Sequence, residues 1–518
     1  MNQVSTLSWA APRRFGVGVF VLAFLPGCGS DVDATPQTPF EPLSDAQVKV
    51  IKEAVDASLG QGLATGYSLA VWRDGAVIYT GAWGTRDEQG NPVTAETLFQ
   101  IGSDTKKITA IGVLQQVHAG VLTLSQTLDR VLPGLALASS PAHFESLTLH
   151  DLLCQRSGLY DYTPWVERPR DSYLAEVAFG RFAENEPVMM PAGIAFNYSN
   201  PNYALAGLAY EVAVGEPWAD AIQANVFEKL DMRHSYARRD DMLAAEADVA
   251  SGHGAILPGD WDPFEPREDD SESEASLTWV EPAAQPDDAF TRPAGLVWST
   301  AADQARLLGF LLDGDPKVLP NELREELLTP HAPWYNHVDL RSYGYGMMVD
   351  RLYQGSGNRF YAIPSYAHGG ATLTMTSSSA ALPEQRVAVS ILANGAAENL
   401  QALTAIALEV AAEGRLPAPS PPPMPPEPRG LETYAGTYFE PTVGEVTLTW
   451  EDGSLRVDIP GLAELGIPYE REPVAVARDL FLFTIDGEPY PVSFYDDVDG
   501  TPHRYGVNRQ FVLTRSSL

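Results

Sequence analysis

A proline-rich segment divides this 518-residue chain into two parts. Eight of the thirteen residues from Leu416 to Pro428 are proline, which lacks the main-chain N–H that helices and sheets use. No packed core accommodates such a run, so the sequence predicts a semi-rigid linker over residues 415–430. It therefore predicts a large folded domain at 43–414 and a small one at 431–518.

The small domain has the pattern of an antiparallel β structure. Short runs rich in β-branched and aromatic residues alternate with Asp-Gly turns at 452, 486 and 499. The runs are Val446–Trp450, Leu455–Ile459, Leu480–Ile485 and Gln510–Thr514. This rhythm predicts a small barrel or sandwich.

The N-terminus has the pattern of an export signal. Two arginines precede an apolar run from Phe15 to Leu25, which is too short to cross a bilayer. The sequence Leu-Pro-Gly-Cys that ends at Cys28 resembles a bacterial lipoprotein signal. It implies a signal peptide at 1–28, lipidation of Cys28 and a flexible tether at 29–42, so that the protein faces the periplasm or the cell surface. An ordinary secretory signal cleaved nearby is the alternative.

The charge of the chain restricts its partners. Lys and Arg number 34 against 68 Asp and Glu, which gives a formal net charge of −34. Such a field repels phosphate backbones and anionic headgroups, so we expect no nucleic-acid partner and membrane association only through the lipid anchor. Residues 259–288 hold eleven of the acidic side chains, which predicts a solvated surface insertion. A calcium site there lacks an alternating ligand pattern.

Local patterns predict two elements and a buried cysteine in the large domain. Tyr67–Trp72 and Ala76–Trp83, joined by Arg-Asp-Gly, predict a β-hairpin. Helical spacing from Ser103 to His118 predicts a helix with one apolar face, formed by Ile108, Ile111, Leu114 and Val117. Cys154 lies in an apolar context, which predicts a buried side chain and not a nucleophile.

The first motif that carries chemistry is Ser103-Asp104-Thr105-Lys106. At a helix start, positions i and i+3 share a face, so the amine of Lys106 lies against the Ser103 hydroxyl. A lysine crowded by cationic or apolar groups takes the proton of a serine and makes it a nucleophile, whereas arginine does not. A solvated helix cap is the alternative interpretation of a lone Ser-x-x-Lys.

Two further motifs add candidate site residues. Tyr198 supplies a phenol for proton relay, and Asn200 supplies an amide that orients a lysine or a substrate. His368 opens a predicted strand, in which Gly369 and Gly370 allow close approach of a ligand to the backbone. A turn with packed tyrosines and a structural histidine are the respective alternatives.

The order of these motifs resembles the serine β-lactamase and penicillin-binding-protein superfamily. The similar branch contains class C β-lactamases, D-alanyl-D-alanine carboxypeptidases, family VIII esterases and D-aminopeptidases. The resemblance extends to Leu147–Tyr162, Gly295–Leu312 and Tyr343–Gly346, and covers about residues 45–412. It implies an α/β (α+β) fold, with an antiparallel sheet flanked by helices beside an all-helical lobe. The C-terminal segment resembles an appended lipocalin-like barrel.

The resemblance also implies roles for the site residues. Ser103 is the nucleophile, Lys106 the base and Tyr198 the proton relay, while Asn200 and His368 line the site with Gly369 and Gly370. The main-chain amides of Ser103 and Ala371 form the oxyanion hole. No cofactor is implied, and the sequence shows no metal-ligand cluster.

The implied function is a serine hydrolase that works through an acyl-enzyme. A carboxypeptidase-like or D-amino-acid peptidase activity on small peptides, such as those of the cell wall, is favoured, and an esterase is the close alternative. A β-lactamase is less favoured, because His368 stands where class C enzymes carry the lysine of Lys-Thr-Gly. Leu373-Thr374 replaces the usual Pro-Gly, and Trp298 has no counterpart. A lipid-anchored binding protein of the same fold is the non-enzymatic alternative.

Overall fold

The computed structural model describes residues 41–516 except 60, 138–139, 141, 162–187, 246, 256–276, 398, 422–425, 429, 442 and 509–510. The predicted signal peptide, the lipidation site Cys28 and nearly all of the tether lie outside the described residues. Within the described residues, no helix is both long enough and apolar enough to cross a bilayer.

The β-strands alternate with helices along the first domain and follow one another in the second. They are β1 Gly66–Arg73, β2 Ala76–Gly84, β3 Phe99–Gln100, β4 Ser235–Tyr236, β5 Gly252–Ala255, β6 Leu277–Val280, β7 Trp298–Ser299, β8 Ala332–Tyr335, β9 Val338–Tyr343, β10 Met348–Asp350, β11 Tyr353–Gln354, β12 Phe360–Tyr361, β13 Ser365–Ala371, β14 Thr376–Leu382, β15 Val387–Ala393, β16 Gly436–Glu440, β17 Gly444–Glu451, β18 Ser454–Asp458, β19 Val474–Ala477, β20 Leu480–Ile485, β21 Glu488–Tyr495, β22 Tyr505–Val507 and β23 Val512–Arg515.

The described α-helices lie mainly in the first domain. They are α1 Asp45–Ser58, α2 Lys106–His118, α3 Leu128–Val131, α4 Leu149–Leu153, α5 Asn200–Val214, α6 Trp218–Ile222, α7 Arg239–Ala244, α8 Arg292–Gly295, α9 Ala301–Asp313, α10 Asn321–Leu327, α11 Leu400–Ala411 and α12 Pro460–Glu464. Helix α6 continues into a π-helix at Gln223–Phe227, and a 3₁₀ turn at Gly102–Thr105 precedes α2.

A central antiparallel sheet organises the first domain. Its strand order is β2-β1-β15-β14-β13-β10-β9-β8, and the predicted hairpin is confirmed as β1–β2. Every residue of β1 and of β15 is buried, because α1 and α11 pack on one face and α9 packs on the other. Covering on both faces explains why these strands are almost continuously apolar.

Helix α2 packs against α5, α8 and α10. The predicted helix is confirmed, and burial extends beyond its predicted apolar face, because every residue from Lys106 to Leu114 is buried. Two lysines are therefore inside the protein at the start of this helix, which amphipathic spacing alone does not reveal.

The second domain is an eight-stranded antiparallel sheet that curls into a half-barrel. Its order is β18-β17-β16-β23-β22-β21-β20-β19, so β18 and β19 form its two edges among the described pairings. The edges come close where the Val457 N–H donates to the Arg471 carbonyl, just before β19, at 2.8 Å. Aromatic and branched residues fill the concave side, including Tyr438, Phe481 and Phe494.

The end of the acidic segment is not a solvated insertion. Residues 259–276 lie outside the described part, but β6 pairs with β5, and Asp287 and Asp288 are buried. Asp287 is bound by the Arg292 guanidinium at 2.6 Å. Acidity alone gave the wrong prediction for Asp287, because an arginine five residues later neutralises its carboxylate. Trp298 is a core residue of the small sheet β3-β7-β4.

The half-barrel packs on two segments of the first domain. Met190 and Ala195 are buried against Tyr495, Tyr505, Val507 and Val512. At the β8–β9 turn, the Asn336 N–H donates to Ser493 Oγ at 2.9 Å, and Asn336 Nδ2 donates to the Phe494 carbonyl at 2.7 Å. The second domain therefore contacts the chain just before Tyr198.

Candidate active site

Ser103 lies in the 3₁₀ turn that leads into α2. Gly102 adopts a φ of +55°, a left-handed conformation that favours glycine, and this turns the chain so that Ser103 is half-buried at the helix start. Lys106 is the first residue of α2 and has no exposed surface. The alternative of a solvated helix cap is therefore wrong.

Lys106 Nζ joins three elements of the fold. It lies 3.0 Å from Ser103 Oγ, 2.7 Å from Asn200 Oδ1 and 2.8 Å from the carbonyl oxygen of Ala294. These partners belong to the 3₁₀ turn, the start of α5 and the end of α8. A buried amine needs such partners, because an unsatisfied cation in the interior is costly.

Two tyrosine rings lie next to the amine. Lys106 Nζ is 4.9 Å from the centre of the Tyr198 ring and 5.7 Å from that of Tyr203. Tyr198 is buried, and the Tyr203 hydroxyl donates to the Leu153 carbonyl at 2.6 Å. The structure thus brings Ser103, Lys106, Tyr198 and Asn200 together.

The amide of Asn200 is held by Asp161, a residue that sequence reasoning missed. Asp161 Oδ1 accepts from the Asn200 main-chain N–H at 2.9 Å and from Asn200 Nδ2 at 3.0 Å. Asp161 belongs to the stretch Leu147–Tyr162, which carries the family resemblance, so the sequence could have marked it as a candidate site residue. Its spacing from Asn200 does not indicate that the two residues are in contact.

His368 is placed differently from its prediction. It does not open a strand but is the fourth of the seven residues of β13, and its side chain is buried. Its Nδ1 lies 2.6 Å from the Gly369 carbonyl oxygen, which only accepts, so this nitrogen carries the proton. The Tyr343 hydroxyl therefore donates to Nε2, at 2.9 Å. Both nitrogens are engaged inside the protein.

Burial also keeps this histidine uncharged. Desolvation, together with the positive charges of Lys106 and Lys107, lowers the pKa of His368 to about 3, although Asp104 and the hydrogen bond to Gly369 oppose this shift. Its ring centre is 6.2 Å from that of Tyr198. His368 thus supports the wall of the site as a neutral group.

The two glycines after His368 differ in their surroundings. A methyl group built on Gly370 overlaps the carbonyl oxygen of Ile101, whereas one built on Gly369 meets only the Ser377 carbonyl oxygen at 3.4 Å. A methyl group built on Gly102 likewise meets Gly370 and the main-chain nitrogen of Ala371. Gly370 is therefore required by the turn that carries Ser103, and the Ala371 nitrogen lies beside that turn.

A buried ion pair that the sequence did not reveal fastens this turn to β14. Lys107 Nζ lies 2.6 Å from Asp104 Oδ1, and neither side chain is exposed. The Ser377 hydroxyl donates to Asp104 Oδ2 at 2.8 Å, and the Ser379 hydroxyl donates to Asp104 Oδ1 at 2.7 Å. Desolvation lowers the pKa of Lys107, while Asp104 opposes this effect.

The residues that replace Pro-Gly after β13 pack tightly. Thr374 is buried, and its hydroxyl donates to Gln285 Oε1 at 2.7 Å. Its carbonyl accepts from the His253 N–H at 3.2 Å, which links the turn to β5. Cys154, as predicted, is buried, and burial raises the pKa of its thiol.

A family model, Beta-lactamase, matches residues 51–412, and the chain belongs to this family. Penicillin-binding protein 4 of Amycolatopsis lactamdurans is 28% identical over 402 residues, which are 75% of this chain and 96% of that protein. The structure of SurE with D-Leu has a TM-score of 0.62 at 21% identity, and covers 91% of this chain and 100% of its own. D-amino acid amidase of Ochrobactrum anthropi SV3, complexed with L-phenylalanine amide, has a TM-score of 0.57 at 22% identity, and covers 71% and 99% respectively.

These likenesses establish the fold and the superfamily of serine hydrolases. The SurE match covers 91% of the chain and therefore extends beyond the first domain. The amidase match is confined to 71% of the chain.

Because Gly369 and Gly370 have different surroundings, replacing each with alanine is expected to change the stability of the protein by different amounts. Gly370→Ala is expected to displace the turn that carries Ser103, and overpacking of this kind costs about 1–3 kcal/mol. Gly369→Ala, the matched control, is expected to leave the melting temperature nearly unchanged. Thermal unfolding of both variants checks this, and equal melting temperatures would contradict it.

The neutral His368 predicts a pH dependence of stability. The folded pKa, about 3, lies below the unfolded value of roughly 6.5, so the unfolded chain binds the proton first as the pH falls. Lowering the pH from 6.5 to 5 should therefore cost about 2 kcal/mol through this residue. The free energy of unfolding of His368→Asn should fall less steeply than that of the wild type over this range. His118→Asn, at the exposed end of α2, serves as control, and identical slopes for all three proteins would refute the assignment.

Proposed function

We propose that this protein is a serine hydrolase that forms an acyl-enzyme on Ser103 and acts on peptides or amides of D-amino acids. The observation that supports it most is the set of partners around Lys106 Nζ. Two of them, Asn200 Oδ1 and the Ala294 carbonyl oxygen, only accept hydrogen bonds. The third, Ser103 Oγ, both accepts and donates.

This arrangement suits a general base. A neutral amine has two N–H bonds and one lone pair. If the two N–H bonds are directed at the two carbonyl oxygens, the lone pair faces Ser103 Oγ at 3.0 Å, within reach of the hydroxyl proton. Proton transfer then converts the amine to an ammonium that donates to all three oxygens, without movement of heavy atoms.

The proposed reaction has two steps. Ser103 Oγ attacks the substrate carbonyl, its proton passes to Lys106, and the oxyanion accepts from the N–H groups of Ser103 and Ala371. The C–N bond breaks, and the leaving amine receives the proton of Lys106 through Tyr198, so that the lysine is neutral again. A water molecule then attacks the ester carbonyl, one of its protons passes to Ser103 Oγ as the acyl–oxygen bond breaks, and the acid is released.

The proposed substrate class is supported by proteins that this chain resembles. The comparisons include a penicillin-binding protein, a SurE structure with D-Leu and a D-amino acid amidase. We therefore propose a carboxypeptidase-like or D-amino-acid peptidase activity, with an esterase as the alternative. The uncharged His368 argues against β-lactamase as the main activity, because this residue stands where class C enzymes carry a cation.

Variants of the proposed nucleophile and base test the mechanism. Ser103→Ala and Lys106→Ala should each lower turnover of a D-amino-acid amide and of a p-nitrophenyl ester by about 10³-fold or more, with the circular dichroism spectrum unchanged. Lys317→Ala removes an exposed lysine and should keep full activity. Intact mass spectrometry after mixing with each substrate, and with benzylpenicillin, should detect an acyl adduct that Ser103→Ala lacks.

The outcomes of this experiment separate the alternatives. Full turnover by Ser103→Ala would overturn the proposed nucleophile. Hydrolysis of the ester but not of the amide would favour the esterase. A lasting penicilloyl adduct would support a penicillin-binding carboxypeptidase, and rapid consumption of penicillin would support a β-lactamase. No reaction of the wild type with any substrate would favour the binding protein.

We further propose that the chain is exported and anchored by lipid at Cys28. The support is the apolar run Phe15–Leu25 followed by Leu-Pro-Gly-Cys. Cys28→Ser is expected to move the protein from the membrane fraction to the soluble exported fraction and to abolish incorporation of labelled palmitate. Cys154→Ser is the control, because Cys154 is buried in the folded domain. Palmitate incorporation by Cys28→Ser would contradict the proposal.

A further inference from the structure

Asp161 fixes the start of helix α5 from outside the helix. It accepts from the main-chain N–H of Asn200, the first residue of α5, at 2.9 Å. The neighbouring Tyr160 carbonyl accepts from the Ser199 hydroxyl at 2.9 Å. Ser199, at the N-cap position, thus directs its side chain to Tyr160, while Asp161 satisfies an N–H that a helix start leaves without an intrahelical partner.

The same carboxylate determines the orientation of the Asn200 side-chain amide, that is, which of its Oδ1 and Nδ2 atoms faces Asp161. An ionised carboxylate only accepts hydrogen bonds, so the Asn200 atom 3.0 Å from Asp161 Oδ1 is the NH₂ group. The oxygen of the amide must then face Lys106, where it lies 2.7 Å from Nζ.

This orientation matters for the lone pair of Lys106. With the amide reversed, the NH₂ group of Asn200 would face Nζ and donate to its lone pair, in competition with the Ser103 hydroxyl. In the observed orientation, Asn200 Oδ1 and the Ala294 carbonyl oxygen can each accept an N–H of the neutral amine, which leaves its lone pair for the Ser103 hydroxyl.

We propose that Asp161 is a positioning residue, which orients the Asn200 amide so that Lys106 serves as the base for Ser103. This inference rests on the proposed function, because it gives Asp161 a part in forming the acyl-enzyme. In this scheme Asp161 acts through Asn200 and not on the reacting carbonyl.

The first test compares two replacements of Asp161. Asp161→Ala removes the acceptor, and misorientation of this kind is expected to lower kcat for a D-amino-acid amide or p-nitrophenyl ester by about 10–100-fold while KM changes little. Asp161→Asn retains a carbonyl oxygen at the same place and should recover activity to within about threefold of the wild type. Asp56→Ala, an exposed carboxylate on α1, is the matched control and should have wild-type kinetics.

A double-mutant cycle separates positioning from a purely structural role. If Asp161 acts through Asn200, then Asp161→Ala should cause no further loss of kcat in an Asn200→Ala background. If it only stabilises the start of α5, the two losses should add, and the melting temperature should fall in parallel with activity. Additive losses, or a wild-type kcat for Asp161→Ala, would overturn the inference.

Failure of the inference is distinguishable from failure of the proposed function. The acyl adduct on Ser103 is measured by mass spectrometry for each variant. An adduct that forms at the wild-type rate in Asp161→Ala and is absent from Ser103→Ala would refute only the role of Asp161. Turnover that persists in Ser103→Ala would refute the proposed function and with it this inference.

Discussion

The burial of one amine, that of Lys106, is the constraint on which the site depends. An ammonium that is withdrawn from water is stable only when its hydrogen bonds are satisfied. Here the acceptors come from the turn before α2, the start of α5 and the end of α8. The turn before α2, the start of α5 and the end of α8 must therefore be positioned precisely enough for all three hydrogen bonds to form. The same hydrogen bonds place the amine beside Ser103.

The other side of the site is held by packing and by a buried charge pair. Gly370 allows β13 to lie directly against Ile101, and Asp104 links Lys107 to the hydroxyls of β14. Breaking a buried pair of this kind by removing one partner leaves an uncompensated charge, which typically costs about 3–5 kcal/mol. Ser103 is thus held between a helix that carries the proposed base and a strand that carries the proposed oxyanion donor.

Short-range patterns in the sequence predicted much of this arrangement, and long-range contacts account for the rest. The Ser-x-x-Lys spacing placed the amine beside the hydroxyl, since i and i+3 share a helix face. The β1–β2 hairpin and four strands of the half-barrel followed from alternation and turn residues. By contrast, the contact of Asp161 with Asn200 joins residues 39 positions apart, and the pairing of His368 with Tyr343 spans 25. The acidic composition of residues 259–288 predicted that Asp287 is solvated, but its carboxylate is buried in an ion pair with Arg292.

The C-terminal half-barrel belongs to the same packed unit as the proposed proton relay. It buries Met190 and Ala195, which lie on the chain immediately before Phe196 and Tyr198. The Phe196 ring stacks on Trp334 at 5.3 Å and lies 5.6 Å from Tyr343, the partner of His368. Trp334 is in β8, whose turn to β9 is hydrogen-bonded to β21 through Asn336. Because interiors are close-packed, the half-barrel restrains the backbone on both sides of this aromatic group, so that Tyr198 is held from the second domain as well as from the first.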